Sequence, residues 1–246
     1  FLTVNNLINV GVQAATVAIL AFGMTFVIVT SGIDLSVGAV AALSAMVSAH
    51  FFVEAGWPGW LTLIAGLLTG FAAGAVSGIA TAYGKLPAFI STLAMMSIAR
   101  GATLVISQGS PMATAEEVNW LGSNAGKFPI PILMMLLAGV LCWFILSRTV
   151  LGRSMYAIGG NEEAARLSGI PVKRVLVAVY ALSGLFAALA GLVMAGRLSS
   201  AQPQAGVGYE LDAIAAVVIG GASLAGGTGK ATGTLVGAIL LAVIRN

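Results

Sequence analysis

Charged side chains are scarce in this chain, and that scarcity excludes a soluble globular protein. Only 8% of the 246 residues are Asp, Glu, Lys or Arg, whereas 59% are hydrophobic. Soluble domains carry about 25% charged residues, which cover the surface that faces water. A chain with so few charges needs lipid as its solvent, so we expect an integral membrane protein.

Cysteine and histidine are almost absent as well. The single cysteine, Cys142, can form no intrachain disulfide, and the single histidine, His50, cannot build a multi-histidine metal site. The net charge is +3, but the cations lie between apolar runs rather than on one basic face, which argues against nucleic acid. We therefore expect no metal, no cofactor and no nucleic-acid partner.

A nucleotide-binding loop is also missing, although a glycine-rich segment ends at Lys230. The phosphate loop needs glycine six residues before its lysine and Ser or Thr after it. Leu224 and Ala231 occupy those two positions. No ATP site is visible, so any ATP must be used by a partner chain. The glycines instead predict a short helix that turns back within the membrane.

Long apolar runs fill most of the sequence and predict an all-α, polytopic helical membrane protein. A crossing needs about 20 mostly apolar residues, and these runs are too continuous for barrel strands. The chain begins at Phe1 without methionine and stops at Asn246 after an apolar run, so we expect a single transmembrane domain over 1–246 that lacks the first and last of about ten spans. The eight expected membrane elements are 7–29, 35–53, 60–83, 87–107, 129–147, 175–196, 211–226 and 231–244.

Cations in short loops predict the orientation, because such loops remain in the cytoplasm. The segment 148–174 holds five of them, namely Arg148, Arg153, Arg166, Lys173 and Arg174. Counting spans from this loop places Ser31 to Asp34, Lys85 and Lys230 inside. It places Phe1, Glu54, the segment 108–128 with Lys127, and the segment 197–210 outside. Arg245 would also end outside against the rule, and the alternative is that 211–226 re-enters rather than crosses.

The loop 148–174 also contains 7 of the chain's 19 charged side chains, and its centre predicts a capped helix outside the membrane. Asn161 is a favourable N-cap, and Glu162 and Glu163 suit the positive end of the helix dipole. Gly169 and Pro171 end the helix. A helix of about two turns is unstable alone, so this segment is either a merely ordered loop or a surface that a cytoplasmic partner grips.

Three separated stretches resemble the ribose-type sugar permeases of bacterial ABC importers. They are residues 160–170, 30–38, and 197–203 continuing through 208–218. The resemblance covers nearly the whole chain and implies a multi-pass protein of the bacterial inner membrane, surrounded by lipid. It implies three partners: an ATPase on the cytoplasmic face, a periplasmic sugar-binding protein, and a second permease copy in a homodimer.

The resemblance also assigns residues to the ATPase contact. The segment 148–174 becomes the cytoplasmic coupling loop of the permease domain. Its ATPase-coupling helix comprises Asn161, Glu162, Glu163, Ala164, Ala165, Arg166 and Gly169.

Asp34 is the only carboxylate among the first 53 residues. Because it precedes the apolar run 35–53, it can cap that helix. A second interpretation is that Ser31, Asp34 and Ser36 face the substrate pathway near its cytoplasmic end and offer hydroxyl and carboxylate partners to a sugar.

The outer side holds the remaining candidates. In the family setting, five residues are expected to contact the binding protein: Arg197, Gln202, Tyr209, Glu210 and Asp212. Asp212 can equally cap the helix that begins there. Arg100 lies inside a span, where a cation is costly, and we expect it to pair with Glu54 or Asp212.

Glycines recur every four residues at Gly66, Gly70, Gly74 and Gly78 and therefore line one helix face. Such small residues allow close helix contact in membranes. The expected function is import of a small neutral sugar, and the nearest alternative is a branched-chain amino-acid permease. A secondary transporter would show paired membrane carboxylates or inverted repeats, and an intramembrane enzyme would show a nucleophile motif; neither is visible.

Overall fold

The computed structural model describes residues 3–126 and 128–246, except for the side chains of Val4 and Asn5. The predicted outside positions of Phe1 and Lys127 therefore lie outside the described residues. The described residues form eleven helices: α1 Val4–Val29, α2 Val37–Val53, α3 Gly59–Ala82, α4 Ala88–Ser107, α5 Glu116–Gly122, α6 Ile130–Arg148, α7 Val150–Gly160, α8 Glu162–Leu167, α9 Val172–Leu198, α10 Tyr209–Ile219 and α11 Ala231–Arg245.

All eight predicted membrane elements are helices, so the predicted fold class is confirmed. Five of them, α1, α3, α4, α6 and α9, contain spans of 19 to 27 residues that are long and apolar enough to cross a bilayer. Leucine, isoleucine and phenylalanine side chains are exposed along α3, α4 and α6. An exposed apolar helix face is what lipid requires of a membrane protein.

Helix α1 forms the centre of the packed core. Its residues from Ala14 onward are almost all buried, and α6, α9, α10 and α11 pack around it. Phe26 contacts Phe186 of α9 edge to face, with ring centroids 5.6 Å apart. A helix that is apolar on every side is normally buried, and α1 follows that rule inside the bundle.

The glycine stripe of α3 packs against α9, as predicted. A Cβ atom at Gly70 would overlap the carbonyl oxygen of Gly184, and one at Gly74 would overlap that of Tyr180. Gly78 lies equally close to the backbone of Val177. The two backbones are therefore in direct contact, which leaves no room for any side chain between them.

Helices α10 and α11 form an antiparallel hairpin, and α10 fills only the first part of the predicted element 211–226. Helix α10 has 11 residues and is about 16 Å long at 1.5 Å per residue, whereas a bilayer core is about 30 Å thick. The glycine-rich segment that follows continues to the end of α1, where the N–H of Gly227 donates to the carbonyl of Val29 at 2.9 Å. Asp212 and Arg245 pair with each other, so Arg245 lies at the same end as the start of α10, as the span count predicted.

Two helices and two strand pairs were not predicted. Helix α7 occupies much of the loop 148–174, because Thr149 caps it by accepting from the N–H of Gly152 at 3.1 Å. Gly152 allows α7 to touch the backbone carbonyls of Ile145 and Leu146 at the end of α6. Helix α5 and the antiparallel pairs Met112–Ala113 with Ser200–Ala201 and Asn124–Ala125 with Phe128–Pro129 lie in the segments predicted to be outside.

Candidate functional site

Helix α8 has the predicted limits and caps. The side chain of Asn161 accepts a hydrogen bond from the N–H of Ala164 at 2.9 Å, which satisfies one of the free donors of the first turn. Gly169 follows the helix with φ +84°, a left-handed conformation that glycine adopts without strain. The N–H of Ile170 closes the end by donating to the carbonyl of Ala165 at 3.1 Å.

One face of α8 is anchored, and the opposite face is free. Ala165 is 4% exposed and packs into the core, whereas Leu167 is 80% exposed. Glu163 and Arg166 form an ion pair on the exposed side, and the Arg166 guanidinium lowers the pKa of the Glu163 carboxyl. Leu167 therefore presents an apolar side chain to solvent beside this charged pair. Leu167 was missed by the sequence analysis, although its apolar character on the polar side of a two-turn helix was visible there.

The position of α8 connects it to the membrane helices on both sides. It packs against α7 and α9, and residues 168–171 join its end to the first residue of α9, Val172. Force applied to α8 therefore acts directly on the start of the 27-residue helix α9. This continuity is the geometric property that a coupling helix requires.

The segment between α1 and α2 holds a buried polar cluster. Asp34 and Ser36 are 1% and 2% exposed. The carboxylate of Asp34 accepts from the N–H of Ser36 at 2.9 Å, from its hydroxyl at 2.6 Å, and from the hydroxyl of Ser183 at 2.8 Å. The expectation that Asp34 caps α2 is wrong in detail, because the residue at the N-cap is Ser36 and the Asp34 carboxylate bonds the turn before the helix.

Ser31 lies apart from that cluster. Its hydroxyl donates to the carbonyl of Ala225 at 2.8 Å and approaches that of Gly159 at 3.4 Å. It thereby connects the end of α1 to α7 and to the loop of the α10–α11 hairpin. Ser31 is exposed, unlike Asp34 and Ser36, so the three residues do not share one surface, and their role in a substrate pathway stays a prediction.

The five predicted binding-protein contacts are dispersed around the start of α10. Arg197 is exposed at the end of α9, and the Gln202 amide donates to the hydroxyl of Ser200 at 2.9 Å. Asp212 is engaged with Arg245, while Tyr209 and Glu210 are half-buried. The structure has no partner chain, so contact with a binding protein stays a prediction for each of them.

The predicted ion pair of Arg100 is wrong. Its guanidinium donates instead to the carbonyl oxygens of Pro203 and Ala205, both at 2.9 Å. Because two carbonyls in the segment before α10 satisfy the cation, Arg100 fixes that segment against α4. Asp212, one of the two expected partners, pairs with Arg245.

The remaining candidates are structural. Cys142 is buried, and its thiol lies 3.6 Å from the carbonyl of Phe22, which agrees with its interpretation as a small core residue. The imidazole of His50 stacks edge-on near Phe51. Within 3–126 and 128–246, no group of three metal-ligating side chains comes together.

Comparison with known proteins places these features in a family context. Residues 6–246 match the family described as "branched-chain amino acid transport system / permease component". The ribose import permease protein RbsC of Escherichia coli strain K12 is 49% identical over 253 residues, which cover 100% of this chain and 78% of the relative. RbsC of Bacillus subtilis strain 168 is 46% identical over 256 residues, covering 100% of the chain and 77% of the relative.

A more distant relative transports another monosaccharide by name. The D-allose transport system permease protein AlsC of Escherichia coli strain K12 is 39% identical over 248 residues, covering 100% of the chain and 76% of the relative. No solved structure matches the chain significantly.

Proposed function

The chain belongs to the family of permease components of branched-chain amino acid transport systems, and we propose that it carries ribose or a related monosaccharide inward. As a member of that family it is a multi-pass membrane component of a bacterial ABC importer rather than an enzyme. An ATPase and a binding protein are the partners that such a component requires. The relatives at 46% to 49% identity are named ribose import permeases, which supports a sugar over a branched-chain amino acid.

The observation that carries the proposal is the capped helix α8. A six-residue helix is too short to persist alone in water, yet here it is held by Asn161, by buried Ala165 and by its junction with α9. Its other side chains, including Leu167, remain uncovered. Such an arrangement suits a surface on which an ATPase docks and pushes.

Transmission from α8 follows the packing. Displacement of α8 moves α9, and α9 is bonded near its middle to Asp34 through Ser183. It also contacts α3 along the glycine stripe. A push at the cytoplasmic end is therefore delivered to α1, α2 and α3 together, and this movement is the step that opens the pathway alternately to each side.

The other partner contacts belong to the same proposal. The coupling loop 148–174 faces the ATPase in the cytoplasm. The outer residues Arg197, Gln202, Tyr209, Glu210 and Asp212 contact the sugar-binding protein. A second copy of the permease completes the transport unit as a homodimer.

A branched-chain amino acid is the second candidate, since the family description names that substrate. A zwitterion requires charged groups along its pathway. The relatives named for ribose and allose favour the neutral sugar.

The test is ribose uptake and ATP hydrolysis in lipid vesicles that contain the permease, its ATPase and the sugar-loaded binding protein. Leu167→Ser, and the triple change of Glu162, Glu163 and Arg166 to alanine, are compared with wild type. Val105→Ser is the matched control, because Val105 is also exposed (79%) but lies on α4, outside the coupling loop.

We expect both α8 variants to fold and insert normally and to lose most uptake and stimulated hydrolysis, while the control keeps both. Normal transport by the α8 variants would refute docking at this helix. Uptake of leucine but not of ribose by wild type would instead establish the amino-acid alternative.

A further inference from the structure

A cavity of about 310 Å³ lies between α1, α9, α10 and α11. It is at the end of these helices that the orientation rule places outside, because Arg197 ends α9 and Tyr209 begins α10. Small-molecule sites in proteins occupy about 300–1,000 Å³, so the cavity has the size of a site for one small ligand. Its lining residues are Gln13, Ala14, Thr16, Val17, Met194, Arg197, Tyr209, Ala238, Leu241, Ala242 and Arg245.

The lining of this cavity is polar, which distinguishes it from neighbouring cavities of similar size. The cavity between α3, α6 and α9 is lined entirely by Leu, Met, Ala and Phe. Here an amide, a hydroxyl, a phenol and two guanidinium groups line one cavity. Gln13, Arg197 and Arg245 are exposed at its mouth, Tyr209 is half-buried and Thr16 is buried. A polar group as deeply buried as Thr16 costs free energy unless it is hydrogen-bonded.

Thr16 provides the independent indication of a ligand. The residue is 2% exposed, and its hydroxyl has no hydrogen-bond partner among the described residues. Other buried threonines in the chain are satisfied: the hydroxyl of Thr25, for example, donates to the carbonyl of Ala21 at 2.7 Å. The hydroxyls of Ser44 and Ser48 on α2 also lack a partner among the described residues, but of these three hydroxyls only that of Thr16 belongs to the lining of this cavity. A buried hydroxyl without a partner is rare in native proteins and calls for an explanation.

The charged groups of the lining lie at its exposed rim, and the buried polar group, Thr16, is neutral. Arg245 is compensated by Asp212. Arg197 is exposed and reaches the carbonyl of Val12 only at 3.5 Å, so its donors are available. No carboxylate is found among the described residues that line the cavity. Several hydrogen-bond donors and acceptors beside one aromatic ring suit a small polyhydroxylated molecule.

We infer that this cavity is a subsite for a monosaccharide on the outer side of the permease, with Thr16, Gln13, Arg197 and Tyr209 binding its hydroxyl groups. The inference rests on the proposed function, since it names the place where the transported sugar binds within one protomer. Arg197 and Tyr209, predicted to contact the binding protein, thus receive the sugar itself.

The test uses the permease in complex with its ATPase, without binding protein, and D-ribose as the probe. The measurement is the thermal midpoint of the purified complex as a function of ribose concentration. A ligand that binds only the folded state raises the midpoint according to its concentration and affinity. Thr16→Val removes the hydroxyl at nearly constant volume, and Thr16→Ser retains it.

A matched control is Thr103→Val. Thr103 is also fully buried, lies on α4 away from the cavity, and already donates to the carbonyl of Ala99 at 2.7 Å. Tyr209→Phe removes the phenol hydroxyl and leaves the aromatic ring.

We expect ribose to raise the thermal midpoint of wild type, Thr16→Ser and Thr103→Val. In Thr16→Val and Tyr209→Phe, about tenfold more ribose should be needed for the same rise. Without ribose, Thr16→Val should melt at or above the wild-type midpoint, because it removes an unsatisfied buried hydroxyl. A midpoint that does not fall without ribose, together with a weaker response to ribose, separates loss of binding from loss of folding.

Three results would overturn the inference. The first is equal ribose stabilisation of Thr16→Val and wild type, and the second is no stabilisation of wild type at any ribose concentration. The third is stabilisation by D-gluconate, an anionic polyol, but not by ribose, which would make this an anion site.

Ribose uptake by the wild-type importer with its binding protein is measured in parallel. Uptake without any effect of ribose on the thermal midpoint rejects the subsite and retains the proposed function. Absence of sugar uptake by wild type rejects the proposed function itself.

Discussion

The hydroxyl of Ser183 donates a hydrogen bond of 2.8 Å to the carboxylate of Asp34. The two residues are 149 positions apart in sequence and both are buried. The bond joins the segment between α1 and α2 to the middle of α9, so this turn is fixed to the helix that follows α8.

Removing the Ser183 hydroxyl should weaken this connection. Ser183→Ala leaves one oxygen of a buried carboxylate without its donor, which typically costs about 1–3 kcal/mol. We expect a lower thermal midpoint in detergent and reduced sugar uptake. Ser97→Ala is the control, since Ser97 is exposed and bonds only the carbonyl of Leu93 within its own helix. An unchanged midpoint for Ser183→Ala would show that the bond does not stabilise the fold.

Gly74→Ala should disturb the contact between α3 and α9. The added methyl group would overlap the carbonyl oxygen of Tyr180, and overpacking of this kind costs about 1–3 kcal/mol. Gly101→Ala on α4 is the matched control, because nothing lies within 4 Å of the added atom. We expect a loss of stability for the first variant and no loss for the second, measured by thermal unfolding of the purified permease. Equal midpoints for the two variants would contradict direct backbone contact.

The cap of α8 should matter for coupling more than for the fold as a whole. Asn161→Ala removes the side-chain acceptor for the N–H of Ala164, a change worth about 1 kcal/mol in typical helices. We expect normal insertion and a clear decrease in stimulated ATP hydrolysis. Asn161→Asp, which keeps an acceptor, should restore hydrolysis; if it does not, the amide contacts the partner directly.

The ion pair of Glu163 and Arg166 should contribute little to stability, because both side chains are more than 60% exposed and solvent screens such pairs. Arg166 lowers the pKa of Glu163 in the folded state. The stabilisation of the folded state by the pair is therefore present above pH 4.5, the ordinary pKa of Glu163. It is lost as the pH falls through the lowered pKa. Arg166→Gln should leave the midpoint unchanged at neutral pH. A large loss there would indicate that the pair anchors α8.

The orientation of the hairpin can be tested by labelling single cysteines. We expect a cysteine at Arg245 or Asp212 to react with a membrane-impermeant maleimide added outside, and one at Leu167 only after the reagent reaches the cytoplasmic side. Cys142 is buried in the structure and is first replaced by alanine to remove background labelling. Reaction of positions 212 and 245 from opposite sides would refute the antiparallel hairpin.

Composition and the length of the apolar runs were sufficient to predict the membrane helices of this chain, although not α5 and α7. The limits of α3, α4 and α6 fall within one or two residues of the predicted ones, because each lies between prolines, glycines or charges. The caps of α8 were also predictable, since Asn161 and Gly169 act locally.

Contacts between distant residues were not predictable in the same way. Arg100 donates to two backbone carbonyls of the segment before α10. Every residue has a backbone carbonyl, so the sequence does not indicate which ones will accept. The partner of Asp34 lies 149 residues away among many serines of equal appearance. Helix α7 depends on a close approach to α6 at Gly152, a contact that the local sequence does not indicate.

The glycine contact between α3 and α9 fixes the distance between these two helices. A Cβ atom at Gly70 or Gly74 would overlap a backbone carbonyl oxygen of α9, so main-chain atoms alone set the separation. Because main-chain atoms have no rotamers to exchange, a displacement of α9 reaches α3 without being absorbed by side-chain rearrangement.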